Sequence, residues 1–277
     1  MMSRNRYSVL ILLILSFVVK AQDYKTHLVV AKDGSGDYLS IQEAVNAAKA
    51  FPEVPVKIRI KAGIYNEKVH VYAWNTKLSF IGDPNGGTII TYDDYFDKIE
   101  LGRNSTFHTY TLKVEANDFY ARDLIIENTA GDIGQAVALH VEGDRVFFEK
   151  CEIRGNQDTM YLARENARHY FKNCLISGTT DFIFGEATAF FDQCEIRSKK
   201  SSYITAASTS KGVQHGFVFI NCKLTSVDVT PKSVYLGRPW RAYARTVFIG
   251  CEMDKHIHPH GWKEWNGKAV FYAEYGS

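Results

Sequence analysis

The chain reads as an all-β solenoid, a right-handed parallel β-helix covered at its N-terminal end by a short helix. Three observations predict this. Five cysteines, Cys151, Cys174, Cys194, Cys222 and Cys251, share one local frame. Each follows a phenylalanine by three positions (Phe148, Phe171, Phe191, Phe219, Phe248) and precedes an apolar side chain by two (Ile153, Ile176, Ile196, Leu224, Met253). Successive copies lie 23, 20, 28 and 29 residues apart, the period of a solenoid coil. The copies are β-branched and aromatic, with turn residues such as Gly155-Asn156, Gly178 and Asn221 between them, so each coil is mostly strand. A degenerate sixth copy is placed 28 residues upstream of Cys151, with Tyr120 three before Asp123 and Ile125 two after it. Leucine-rich repeats fit poorly, because no leucine-asparagine frame or helical half recurs.

In-register coils place the cysteines on one inward ladder. Rungs of a sheet are ~4.8 Å apart, whereas the Cβ atoms of a disulfide sit ~3.8 Å apart. Stacked free thiols acting as small hydrophobes are therefore expected rather than bridges. Upstream, Ser40-Ile-Gln-Glu43 has the form of a capping box, and Ile41, Ala44, Val45 and Ala48 form one apolar helical face. Such a helix covers the open end of the stack, which would otherwise expose apolar side chains and strand edges. Asp33-Gly-Ser-Gly-Asp37 lacks the lysine and the βαβ context of a phosphate loop and reads as a plain turn.

The 277 residues are 45% hydrophobic and 23% charged, which excludes a disordered or collagen-like chain. The apolar run Val9 to Val19 follows Arg4 and Arg6 and leads into Val19-Lys20-Ala21. It is too short to span a bilayer and reads as a secretory signal cut after Ala21. The mature chain, 22–277, is then one domain with no linker. Loss of Arg4, Arg6 and Lys20 turns the formal charge of +2 into −1. No basic footprint for nucleic acid or an anionic membrane remains. The reading is an exported monomer, periplasmic or extracellular, and the absence of a cysteine near the cleavage site argues against a lipid anchor.

The repeat frame also brings two carboxylates together. Asp158 lies seven residues after Cys151, and Asp181 lies seven after Cys174. On adjacent rungs their backbones would be ~5 Å apart. Two charges at that distance repel by ~3 kcal/mol at an effective dielectric of 20, about two pKa units. One should stay protonated while the other ionises, which makes an acid and a nucleophile or base from two identical side chains. From the register alone, a pair of turn aspartates is an equally good reading.

The residues around the pair carry a resemblance. Asp158 sits in Gly155-Asn-Gln-Asp-Thr-Met-Tyr161 and Asp181 in Gly178-Thr-Thr-Asp-Phe-Ile-Phe-Gly185. Gly134-Gln-Ala-Val-Ala-Leu139 lies upstream and Leu236-Gly-Arg-Pro-Trp240 downstream. Gly63-Ile-Tyr-Asn-Glu67, Ser105-Thr-Phe107, Glu127-Asn-Thr-Ala-Gly131 and Gly261-Trp-Lys-Glu-Trp265 complete an ordered set running from about Val29 to Tyr275. The set resembles the pectin methylesterases (pectinesterases), in their bacterial secreted form. Two departures are visible. Met160 stands where the family usually has leucine, a swap that conserves volume. Family chains continue past the Phe271-Tyr-Ala-Glu-Tyr275 match with a Gly-Pro-Gly turn, whereas this sequence stops at Ser277, so a truncated or differently capped last coil is expected.

The resemblance implies a right-handed parallel β-helix acting on methyl-esterified homogalacturonan, with no metal or organic cofactor. It implies Asp181 as nucleophile, Arg238 as the group that holds it, and Asp158 as proton donor to the leaving methoxide. Gln157 would stabilise the oxyanion with Gln135 assisting, and Thr106, Phe107 and Trp240 would contact the sugar. Plainer readings stand beside these. Gln135 and Gln157 fit an amide ladder, Arg238 a surface ion pair, and Trp240 a turn aromatic. Of Phe182 and Phe184, at least one is expected in the core.

Other clusters point elsewhere. His256, His258 and His260 alternate like metal ligands, but Pro259 interrupts the strand. Asp93, Asp94 and Asp97 lack the spacing of an EF-hand and read as a solvated loop. A β-helix glycoside hydrolase or pectate lyase is the alternative enzyme, since paired carboxylates ~5 Å apart also suit a retaining glycosidase. A non-catalytic β-helix adhesin or polysaccharide-binding module is the third reading, and fold alone does not choose among them.

Overall fold

The computed structural model describes residues 24–263 and 269–277. The expected signal segment, and Glu264 and Trp265 of one matched motif, lie outside the described residues. The chain winds as a right-handed parallel β-helix through three sheets of ten, eight and seven strands. One coil shows the order. Strand Val146–Glu149 belongs to the ten-stranded sheet, Glu152–Arg154 to the eight-stranded and Met160–Leu162 to the seven-stranded, and Arg168–Lys172 returns to the first. All pairings between successive coils are parallel and in register, as for Val146–Glu149 on Arg168–Lys172.

The repeat frame becomes the core. Phe148, Phe171, Phe191, Phe219 and Phe248 are register partners, and their rings stack with centroids 5.3, 5.0, 4.4 and 4.3 Å apart. Ile153, Ile176, Ile196, Leu224 and Met253 form a second inward ladder. The cysteines line the corner between them, all buried and all free thiols. Four of the sulfurs reach the carbonyl of the phenylalanine one coil back: Cys174 to Phe148 at 3.5 Å, Cys194 to Phe171 at 3.4 Å, Cys222 to Phe191 at 3.3 Å and Cys251 to Phe219 at 3.6 Å.

The sixth copy is shifted by one residue from the sequence expectation. Ala121, not Tyr120, pairs with Phe148, and Ile126, not Ile125, pairs with Ile153. Leu124, buried, therefore takes the place of a cysteine. The reason is the corner. The residue before each cysteine has a positive φ of 50–59° (Lys150, Asn173, Gln193, Asn221, Gly250), and Asp123, with φ 57°, is the equivalent of these. Asp tolerates the left-handed conformation through local hydrogen bonding, so Asp123 makes the bend and Leu124 points inward.

The helix Ile41–Ala47 closes the first coils. Both halves of its capping box form, Glu43 N donating to Ser40 Oγ and Ser40 N to Glu43 Oε2, each at 3.3 Å. Ile41, Ala44 and Val45 enter the same core as Leu28, Val30 and Ile58. Glu67 adds a second cap, accepting from Ile41 N at 2.9 Å and Gln42 N at 3.0 Å, a favourable site for a carboxylate because helix N-termini carry orphan donors and positive potential. Asp33 and Ser35 form a turn of their own, with Ser35 N donating to Asp33 Oδ1 at 2.9 Å. Among the described residues no helix is long and apolar enough to cross a membrane.

Candidate active site

The site forms where the chain turns from the eight-stranded into the seven-stranded sheet. Asp158 and Asp181 occupy this corner on adjacent coils, both in the left-handed region with φ 63° and 49°. Their backbones are tied from coil to coil, Asp158 N donating to Thr180 O at 3.1 Å and Asp181 N to Tyr203 O at 2.8 Å. The turn before Asp181 needs a glycine, since a Cβ on Gly178 would lie 2.2 Å from Phe182 Cβ. Strand Ile183–Gly185 follows, with Phe182 and Ile183 in the main core and Phe184 on the opposite face. Of the two phenylalanines, Phe182 is thus core and Phe184 floors the cleft.

Arg238 enters from two coils beyond Asp181, just past strand Tyr235–Gly237. Gly237 lets that strand close in, because a Cβ there would sit 2.0 Å from Thr205 Oγ1. The guanidinium grips Asp181 through three contacts: Nε to Oδ1 at 3.0 Å, Nε to Oδ2 at 3.2 Å and Nη2 to Oδ2 at 2.5 Å. Its other face lies over the Tyr203 ring, with Cζ 4.4 Å from the centroid. The Asp181 side chain is 13% exposed and that of Arg238 34%, so this is a partly buried, charge-assisted pair rather than a surface ion pair. Burial pushes the Asp158 carboxyl well above the usual range; the Asp181 charge pushes it further, and Arg238 opposes both. Asp158 still lines the cleft, so a carboxyl biased toward its neutral form by burial is open to a ligand.

All eight residues singled out from the sequence line one cleft of about 360 Å³: Asp158, Asp181, Gln157, Arg238, Gln135, Thr106, Phe107 and Trp240. Gln135 and Gln157 sit on successive coils joined by a parallel backbone bridge. No hydrogen bond joins their side-chain amides among the described residues, so both amides are available to the cleft. Trp240 packs edge-on against Phe184 at 5.6 Å, and Phe107 against Tyr161 at 4.9 Å. Thr106 and Phe107 ride on a 3-10 helix, Gly102–His108. Thr109 fastens its end, accepting from Val137 N at 2.9 Å and donating to Thr106 O at 2.7 Å.

Several contributors had no site role assigned from the sequence. Arg103, Phe184, Ala206 and Pro239 also line the cleft. Asn128, within the matched Glu127–Gly131 segment, is buried with Nδ2 at 2.8, 3.2 and 3.1 Å from the carbonyls of Asp94, Thr109 and Val137. It ties Thr109, at the end of the 3-10 helix, to Val137 in the segment between Gln135 and the next strand. Its place in the matched Glu127–Gly131 segment was its signal in the sequence.

The decoy clusters resolve as structure. His256 is buried, while His258 stacks on Tyr235 at 4.4 Å. No group of three potential metal ligands converges among the described residues. Asp93 and Asp94 both pair with Lys98, and Asp94 also with Lys68.

The fold and cleft define a class: parallel β-helices with an acid pair, one member clamped by arginine, in an aromatic-walled cleft on one sheet. Within it the chain belongs to the pectinesterase family, whose model matches residues 27–277. It is 41% identical over 268 residues to a probable pectinesterase/pectinesterase inhibitor 58 of Arabidopsis thaliana, covering 91% of this chain and 46% of that one. The chain spans about half the length of the curated relatives it matches. Among solved structures it is similar to the pectin methylesterase from carrot, with a TM-score of 0.82 at 36% identity, covering 90% of this chain and 81% of that one. It is also similar to a pectin methylesterase in complex with a hexasaccharide, with a TM-score of 0.78 at 30% identity, covering 93% and 91% of the two chains.

Proposed function

We propose that this chain hydrolyses the methyl esters of galacturonate units in homogalacturonan, releasing methanol and leaving free carboxylates. The observation that carries the reading is the pairing of unlike carboxyls on adjacent coils. Asp181 is gripped by Arg238, while Asp158 is held protonated beside it. A carboxylate so oriented is a nucleophile toward an ester carbonyl, and a neighbouring neutral acid is a proton donor.

In the proposed cycle an Asp181 oxygen attacks the C6 carbonyl carbon, and the tetrahedral oxyanion accepts an N–H from Gln157, assisted by Gln135. Loss of one such donor typically raises a barrier by ~3 kcal/mol. As the C–O bond to the methoxy group breaks, Asp158 transfers its proton and methanol leaves, with an anhydride formed on Asp181. Asp158, now ionised, takes a proton from water. The resulting hydroxide attacks the anhydride, freeing the galacturonate carboxyl and restoring both aspartates. Trp240, Phe107 and Phe184 offer apolar faces to the sugar rings, and every step is served by side chains of the cleft without a metal or organic cofactor. The family membership and the solved neighbour holding a hexasaccharide support an oligosaccharide occupant. The export of a monomeric mature chain, 22–277, after removal of the N-terminal signal belongs to the same proposal.

The test is methanol release from methyl-esterified homogalacturonan by the wild type and by Asp181→Ala, with polymer length followed in parallel. Methanol without chain shortening, abolished in the variant, is the expected result. Chain shortening without methanol would establish a glycosidase or lyase instead, and full activity in Asp181→Ala would establish a non-catalytic site.

A further inference from the structure

One row of register partners crosses the seven-stranded sheet on the face turned away from the main core: His70, Lys113, His140, Tyr161 and Phe184. The row changes character in the middle. Its first part is ionic. Lys113 Nζ meets Glu115 at 2.7 Å and Glu142 at 3.0 Å, His70 Nε2 lies 3.1 Å from Glu115, and His140 Nε2 lies 2.9 Å from Glu142. Its second part backs the cleft. Tyr161 packs against Phe107 at 4.9 Å, Phe184 at 4.8 Å and Trp240 at 6.4 Å, three rings that line the cleft. His140 joins the two parts. It is 2% exposed, with its ring 4.7 Å from that of Tyr161, and it stands outside the cleft lining.

We propose that His140 is a positioning residue for the esterase reaction: in its protonated form it holds Tyr161, and through Tyr161 the rings of the cleft, more firmly against the sugar. The inference rests on the pectinesterase reading above and adds an ionisation behind the cleft to the one inside it. The groups around His140 set the sign. Glu142, on the same chain segment, favours a proton, and Lys113, one coil back, opposes it; Tyr110, Tyr161 and the Phe107 carbonyl complete the enclosure. With both histidines neutral, Glu115 and Glu142 outnumber Lys113 and leave the row one negative charge, which a proton on His140 cancels. An imidazolium beside an aromatic ring also gains a cation–π attraction that a neutral imidazole lacks. Burial pushes the His140 pKa below its ordinary value, and Glu142 pulls it back. The proton is therefore present in acid and lost as pH rises toward neutrality.

The experiment measures KM and kcat for methanol release from methyl-esterified homogalacturonan between about pH 4.5 and about pH 7.5, a range that spans the ordinary histidine pKa of about 6.5. In the wild type KM should rise about fivefold as pH rises, the scale of one cation–π contact. Glu142→Gln should move the midpoint of that rise about one pH unit lower, because it removes the charge that favours the proton. His140→Phe keeps a ring against Tyr161 but cannot ionise. Its KM should not vary with pH, and its kcat profile, set by Asp158 and Asp181, should match that of the wild type. A flat KM in the wild type, an unmoved midpoint in Glu142→Gln, or the same rise in His140→Phe would overturn the proposal. The Glu142 side chain is 35% exposed, so that variant decides the matter even where His140→Phe fails to fold. A wild type that releases no methanol at any pH would overturn the esterase reading itself, whereas a flat KM with methanol released overturns only the role of His140.

Discussion

Two corners of the same coil solve the same stacking problem in opposite ways. Between the ten- and eight-stranded sheets, every coil from Asp123 to Gly250 bends through a left-handed residue and then points a small apolar side chain inward. Between the eight- and seven-stranded sheets, Asp158 and Asp181 themselves take the left-handed conformation and stand in a cleft. At the first corner, stacking like on like is favourable, because thiols and phenyl rings gain contact and lose water. At the second it is unfavourable, because like charges repel. The molecule offsets that repulsion with Arg238 on one carboxyl and a raised pKa on the other. One geometry thus yields a spine where the stacked groups are apolar and a pair of unlike carboxyls where they are acids.

The largest effect should come from the reactive corner. Asp181→Asn removes the proposed nucleophile, and kcat for methanol release should fall on the order of 10⁴-fold or more, the scale seen when an enzyme loses its nucleophile. Pre-steady-state kinetics with an activated-alcohol ester of galacturonate separate the two acids. Asp158→Asn should still give a burst, since a good leaving group needs no proton, whereas Asp181→Asn should give none. The reverse pattern would exchange the two roles.

The spine comes next. Phe191 is fully buried between the rings of Phe171 and Phe219, so Phe191→Ala should destabilise the fold by about 3–5 kcal/mol. Denaturant unfolding would read this, and a loss below ~1 kcal/mol would show that the ring stack is not a principal support.

A smaller effect, of opposite sign, is expected at Asp158. Its folded pKa is raised, so between the ordinary carboxyl pKa and the raised one the native state binds more protons than the unfolded state. Stability from this group is therefore full below the unfolded pKa and is lost as pH rises toward the folded value. Asp158→Asn has no such loss. It should gain stability relative to wild type as pH is raised from about 4, while its pH–activity profile loses the alkaline limb set by the acid. A constant stability difference across pH would show that Asp158 ionises alike in the folded and unfolded chains.

The thiol ladder should give the smallest change. Cys174→Ala removes one small buried group and should cost about 1 kcal/mol. Denatured, unreduced protein should titrate all five thiols, and recovery of two complete disulfides by mass spectrometry would refute the ladder.

The sequence alone determined the solenoid, its inward ladders and the meeting of the two aspartates, because coil register turns sequence offsets directly into spatial neighbours. It missed by one residue at Asp123, since an acidic corner residue and a cysteine ladder position look alike until the turn conformation is known. It placed Asp158 and Asp181 on adjacent coils but could not choose between turn and catalytic aspartates without the surrounding motifs. Which carboxyl has its pKa raised, and how Tyr203 and Asp181 hold Arg238 from both sides, were decided by the tertiary structure. These depend on burial and on distances between residues tens of positions apart, such as Asp181 and Arg238 at a separation of 57. A repeat frame fixes neighbours along the stack. Only the folded chain sets how loops from different coils converge on one cleft.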